Sequence, residues 1–170
     1  MSIAQGMVQE LQHEARGTRA HFERLPDDRW DYRPHPKSMS LGELASHMVD
    51  ALSWAGSIVQ VDTFELKMES WVSVNASNRA ELLARFDETL PRIAALVGAI
   101  PDEAMFRTWT MIKEGRTVLQ MPRIAVLRGF ILNHMIHHRA QLGVYLRMLD
   151  VEVPSVYGPS ADDPGPMGAA

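Results

Sequence analysis

The sequence predicts an all-α fold: a four-helix bundle with a small hairpin or irregular insert before the last helix. Three observations carry that reading. Four segments place apolar residues at steps of three and four, the period of a helix with one buried face. With four such stripes available to pack together, none is left as an unmatched face for a membrane surface or a partner helix. The period changes clearly only between Met105 and Leu119. At 170 residues the chain is read as one domain, residues 1–160, followed by a flexible tail, residues 161–170.

In the first helix Met7, Leu11, Ala15, Thr18, Phe22 and Leu25 form the stripe. It stops at Pro26, and Asp27, Asp28 and Pro34-His35-Pro36 mark a loop. The second helix opens with Ser40-Leu41-Gly42-Glu43, the spacing of a capping box, in which serine accepts a free backbone N–H and glutamate reaches back to the cap. Its stripe is Leu41, Leu44, Met48, Ala51, Leu52 and Ala55. The third helix starts at Asn78, with Glu81 three residues on, and carries Leu82, Phe86, Leu90, Ile93, Val97 and Ile100. Pro91 falls inside it, so a kink or break is expected there. Next, Phe106, Trp109 and Met111, then Thr117, Val118 and Leu119, flank Lys113-Glu114-Gly115, the candidate hairpin. The last helix follows Pro122, a residue suited to a first helical position, with Leu127, Ile131, His134, His138, Leu142, Tyr145 and Leu149 as its stripe. The proline- and glycine-rich stretch after Asp150 cannot continue it.

Composition excludes several chemistries. The chain has seven histidines and no cysteine. Disulfides, cysteine-ligated zinc, iron–sulfur clusters, redox dithiols and a cysteine nucleophile are therefore ruled out. Any metal site must use histidine, carboxylate or carbonyl ligands. Seventeen basic residues against twenty-one acidic give a net charge of −4, which argues against a general nucleic-acid partner. Asp50, Arg128 and Arg139 interrupt the apolar passages, so none reaches the ~18 uncharged residues of a membrane span. Met1–Glu10 has no basic stretch leading into an apolar run, so no signal peptide and a cytoplasmic location are expected.

The informative constellation is Asn133-His134-Met135-Ile136-His137-His138-Arg139. His134 and His138 lie one turn apart on one helix face, at consecutive steps of the apolar stripe. Buried imidazoles must satisfy both ring nitrogens. A divalent metal does so by taking one nitrogen from each, while the other donates to an acceptor behind it. A hydrogen-bonded core pair is the competing reading. On the second helix His47, on the line Leu44, His47, Ala51 and Trp54, offers a third ligand; alone it reads as an ordinary satisfied or surface residue. His137 is also a helical neighbour of His134 but lies off the stripe, at the edge. His13, His21 and His35 read as exposed, without a role.

Other metal architectures fit less well. A di-iron bundle wants two Glu-x-x-His pairs, and only Glu10-x-x-His13 matches. The zinc-protease pattern needs glutamate directly after the first histidine, where Met135 stands. Glu43 and Asp50, one turn either side of His47, are the candidate base, fourth ligand or supporting acceptor; a cap and a solvated charge are their plain alternatives. Trp30, Trp54, Trp71 and Trp109 read as packing residues, with Trp54 also a candidate pocket wall because it shares a face with His47. Neither a glycine-rich phosphate loop nor a nucleophile elbow is present.

Two blocks are similar to the DinB/YfiT-like four-helix-bundle metalloproteins. Leu41-Gly42-Glu43-Leu44-Ala45-Ser46-His47 resembles the signature of their second helix. Asn133-His134 through His138-Arg139-Ala140-Gln141-Leu142, then Tyr145-Leu146-Arg147, resembles their H-x-x-x-H-R-x-Q helix, and Val153-Pro154 with Tyr157-Gly158-Pro159-Ser160-Ala161-Asp162 the tail that often follows. The resemblance implies a divalent ion (nickel, zinc or iron in different members) on three histidines with an open position, which map onto His47, His134 and His138. It also implies structural or ligand-supporting roles for Arg139 and Gln141, and leans toward a homodimer. Characterised relatives include thiol S-transferases that use low-molecular-weight thiols such as bacillithiol, and a mycothiol-dependent isomerase is related; many others are described only as damage-inducible or as metal-dependent hydrolases.

The leading expectation is therefore an enzyme whose metal activates a nucleophile: a thiol, whose transfer to an electrophile is favoured, or water, for hydrolysis. Thiol transfer is favoured because no carboxylate is fixed as a general base. With no cysteine in the chain, the sulfur must arrive with the small-molecule substrate. Two other readings compete: a non-catalytic, stress-related ligand-binding bundle with a structural metal, and histidines that merely pack the core.

Overall fold

Ser2 and Ser40 start the first two long helices by the same device. The structure, a computed structural model, describes residues 2–67, 75–165 and 168. In helix α1 (Ile3–Glu23) the Ser2 hydroxyl accepts from the Gln5 N–H, and the Gln5 side chain accepts from the Ser2 N–H. In α2 (Leu41–Ser53) the expected box closes: Ser40 Oγ accepts from Glu43 N–H at 3.2 Å, and Glu43 Oε2 accepts from Ser40 N–H at 2.8 Å. A short α3 (Ala55–Gln60) and strand β1 (Thr63–Glu65) follow. Asn78 caps α4 (Arg79–Gly98) through Glu81 N–H. Then come α5 (Asp102–Met105), β2 (Thr108–Lys113), β3 (Arg116–Pro122), α6 (Arg123–Leu127), a π-helical turn (Arg128–Asn133) and α7 (His134–Met148).

The molecule is mostly helical. Helix α1 packs on α4 and α7, and α2 packs on the same two helices. Leu11, Phe22, Leu44, Leu52, Phe86 and Leu142 lie in the resulting core, where Phe22 and Phe86 meet edge to face at 5.3 Å. Among the described residues no helix is long and apolar enough to cross a membrane.

Three local features differ from the sequence expectation. The hairpin forms, joined by Glu114 (φ 51°) and Gly115 (φ 71°), a two-residue loop with the left-handed backbone that suits paired strands. The sheet, however, has a third member: β1 pairs parallel to β2, with Thr63 opposite Thr110. Pro91 does not break α4. It lies on the exposed side, and the carbonyl it leaves without a helical donor belongs to exposed Asp87. Finally, the single last helix is three pieces, with the π turn directly before His134.

Two buried arginines tie these elements together. Arg123 donates to the carbonyls of Ile58, Ala104 and Val61 and pairs with Asp62, fixing α6 to α3, α5 and the start of β1. Arg139 on α7 donates to the Glu14 carbonyl at 2.9 Å and pairs with its carboxylate at 2.8 Å, and both groups bond the Tyr157 hydroxyl of the C-terminal segment. That segment folds back on the helices: Asp162 accepts from Arg147 and from Val153 N–H, and Asp163 from Ser155 and Gly165 N–H. Residues 166, 167, 169 and 170 of the tail, and Trp71, lie outside the described residues.

Because the Arg139–Glu14 pair is buried, removing one partner strands the other's charge. Arg139→Met should lower the unfolding free energy by about 3–5 kcal/mol, and adding Glu14→Leu should restore most of it. Urea unfolding of the wild type, the single and the double variant measures both steps.

Candidate metal centre

The second helix delivers His47 from a well-determined position. Gly42 lies under the Trp30 indole so closely that a Cβ would meet its Nε1 at 2.1 Å, so only glycine fits. The same Nε1 donates to the Ala76 carbonyl at 2.7 Å, while buried Ser46 accepts from Ala76 N–H at 2.9 Å. Through Gly42 and Ser46, the turn leading into His47 is thus tied to Trp30 and Ala76. Across from it, the π turn ends where His134 begins, and His138 follows one turn along α7.

The three imidazoles converge, each half-buried. Nε2 of His134 lies 3.2 Å from Nε2 of His47 and 2.7 Å from Nε2 of His138. One ligand atom from each residue falls within 4.8 Å of the other two. In a tetrahedral site with Zn–N near 2.0–2.1 Å, ligand nitrogens stand roughly 3.3 Å apart.

The remaining ring nitrogens decide what this cluster can hold. His138 Nδ1 lies 2.7 Å from Gln141 Oε1, and an amide oxygen only accepts, so the proton sits on Nδ1. The Phe130 backbone carbonyl, one turn before His134, favours the protonated form of that ring. His138 Nε2 therefore presents a lone pair to His134 Nε2 at 2.7 Å, and a cation shared by the two rings stabilises that approach. A proton is a poor cation for this place. Burial, reinforced by neighbouring imidazoles, holds His47, His134 and His138 below the ordinary histidine value, although Asp50, Phe130 and Gln141 respectively oppose the shift. The donor set therefore fits a divalent metal.

The other singled-out residues have other partners. Glu43, besides capping α2, takes a 2.7 Å hydrogen bond from Arg33, which with the cap holds its carboxyl below the usual range. Asp50 pairs with Arg85 at 2.9 Å and acts on His47 through its charge. The Trp54 ring packs at 5.8 Å against Phe64, which stacks on Trp109. Gln141 supports His138 directly and also donates to exposed His137 at 3.2 Å, whose ring lies 4.9 Å from that of His138. Arg139 faces away, toward Glu14. His13 and His35 are exposed, as expected, but His21 is not: it is 3% exposed, with Nδ1 donating to the Gly17 carbonyl at 2.8 Å.

The DinB family model matches residues 1–166. The chain belongs to the DinB family. Two solved structures share its fold: a DinB-like protein from Bacillus cereus ATCC 10987 (22% identity, TM-score 0.69, covering 89% of this chain and 96% of that one) and a DinB-like protein from Bacillus subtilis (18% identity, TM-score 0.70, covering 89% and 97%). No curated protein matches. At these identities the likeness carries the DinB fold alone; the metal centre rests on the three converging nitrogens.

Two outcomes follow from the ring chemistry. Replacing Gln141 with Leu removes the acceptor that fixes His138, and should weaken zinc binding about 10–100-fold in chelator competition. The histidine pKa values are lowered in the folded chain, so unfolding takes up protons as pH drops below the ordinary value of 6.5. Their contribution to stability is present above 6.5 and is lost as pH falls through the lowered values. The urea midpoint of metal-free protein should therefore decline between about pH 7 and pH 5; a flat midpoint would contradict the burial of neutral rings.

Proposed function

We propose that this DinB protein is a divalent-metal-dependent enzyme that transfers a low-molecular-weight thiol to a small electrophile. The observation that carries the reading is the convergence of three histidine nitrogens, with the far side of His138 already hydrogen-bonded to Gln141. Bound on that set, a nickel, zinc or iron ion supplies the Lewis acidity that lowers the pKa of a joining thiol or water. Gln141 keeps the His138 lone pair pointed at the ion, and Asp50 makes His47 a better donor through its charge. Trp54, seven residues after His47, packs its ring on Phe64, and the pair offers an apolar wall for the electrophile.

The carboxylates favour thiol over water. A hydrolase would call on a general base to take the proton from water. The two acidic residues flanking His47 are both engaged by arginines: Glu43 by Arg33, and Asp50 by Arg85. The chain brings no sulfur nucleophile of its own, having no cysteine, so the thiol is a substrate.

The test uses protein reconstituted with nickel, zinc or ferrous iron and offered monochlorobimane with bacillithiol, mycothiol, glutathione, cysteine or coenzyme A. Metal-dependent conjugation of at least one thiol is expected, falling to the metal-free level in His138→Ala. Hydrolysis of ester or amide substrates without conjugation would replace this reading with a hydrolase. Full metal occupancy with neither activity would leave a structural metal.

A further inference from the structure

Away from the three histidines, α7 and the returning C-terminal segment enclose an open groove of about 460 Å³. That is a volume typical of small-molecule sites. Val144 and Met148 of α7, 58% and 54% exposed, form one wall, and Val153, Pro154 and Val156 form the other. The groove is therefore mainly apolar. Its inner end is closed by a polar group from a third element, the His21 imidazole of α1.

His21 is out of place for a packing residue. The residue is only 3% exposed. Nδ1 donates to the Gly17 carbonyl, so Nε2 carries a lone pair and only accepts. That atom has no hydrogen-bond partner among the described residues. Burial, helped by the nearby charges of Arg139 and Arg24, holds the ring below its ordinary pKa, and it stays neutral near pH 7. Gly143 of α7 faces this atom: a Cβ there would stand 3.4 Å from His21 Nε2, in van der Waals contact.

The other polar groups along the groove are already engaged. Arg147 is held by Asp162, the Tyr157 hydroxyl by Glu14 and Arg139, and Ser160 Oγ by Val153 and the backbone of residues 162 and 163. An occupant would therefore meet apolar walls, no uncompensated charge and one acceptor at the inner end. We propose that this groove is a second ligand site, distinct from the metal centre, for a neutral and mainly apolar small molecule whose single O–H or N–H donates to His21 Nε2. A phenol has this chemistry. An anion does not, because the one arginine side chain lining the groove is neutralised by Asp162. A flat apolar surface awaiting a second copy of the chain would not need a buried acceptor at its floor.

The experiment compares p-cresol with toluene, which has nearly the same shape and lacks the donor, by NMR titration of the full-length, metal-loaded protein. Saturable shifts centred on Gly143, Val144 and Val153 are expected with p-cresol, and binding of toluene at least about tenfold weaker, the worth of one hydrogen bond. His21→Phe should erase the preference. Gly143→Ala, which puts a methyl in front of Nε2 while favouring the helix, should weaken p-cresol at least about tenfold even if the His21 variant does not fold. His47→Ala should leave p-cresol binding unchanged. Equal affinity for the two probes would overturn the proposal, as would shifts elsewhere, no saturable shift, or sedimentation showing the groove covered in a dimer.

Discussion

The far-side hydrogen bond of His138 controls the rest of the candidate centre. If His138 were free to carry its proton on Nε2, it would donate to His134, and the cluster would be a self-satisfied core pair. Gln141 removes that option by accepting at Nδ1. The His138 lone pair then faces the other two rings in a half-buried place where protonation is disfavoured. A divalent metal fits such a donor set without charging any ring. The π turn belongs to this logic, because His134 directly follows it. Such turns recur at functional sites because they re-aim the residues at their ends.

The scaffold holds the rings by means that are independent of the metal. Trp30, Ser46 and Ala76 clamp α2, Arg139 and Glu14 join α7 to α1, and Arg123 anchors the start of the last helical run. Convergence of α2 and α7 therefore does not wait for the ion. Preorganisation of this kind keeps donor geometry within the narrow limits that metal chemistry requires. It also keeps the acidic groups near His47 in pairs with arginine.

Much of this was legible in the sequence because side-chain spacing reports helical faces directly. The capping box at Ser40 and Glu43, the cap at Asn78, the Glu114-Gly115 turn and the one-turn step from His134 to His138 all have local signatures. The three-residue strand β1 was too short to show a period, and its partner lies far along the chain. The π turn was hidden because it is a change in backbone hydrogen-bond register that leaves an apolar stripe intact. His21 shows where spacing is silent. Helix α1 also buries Glu14 and His21, polar residues one turn either side of Thr18, and apolar periodicity does not register them. Those two meet Arg139 and Gly143 of α7, and only the packed structure shows what they face.

The most direct test is the metal content of protein purified without a histidine tag, read by elemental analysis together with X-ray absorption at the edge of the metal found. One divalent ion per chain, with three imidazole nitrogens in its coordination sphere and loss of the ion in His134→Ala, is the expected result. Protein that stays folded but binds no nickel, zinc or iron, or that retains a full equivalent after His134→Ala, would contradict a metal centre built on these three histidines.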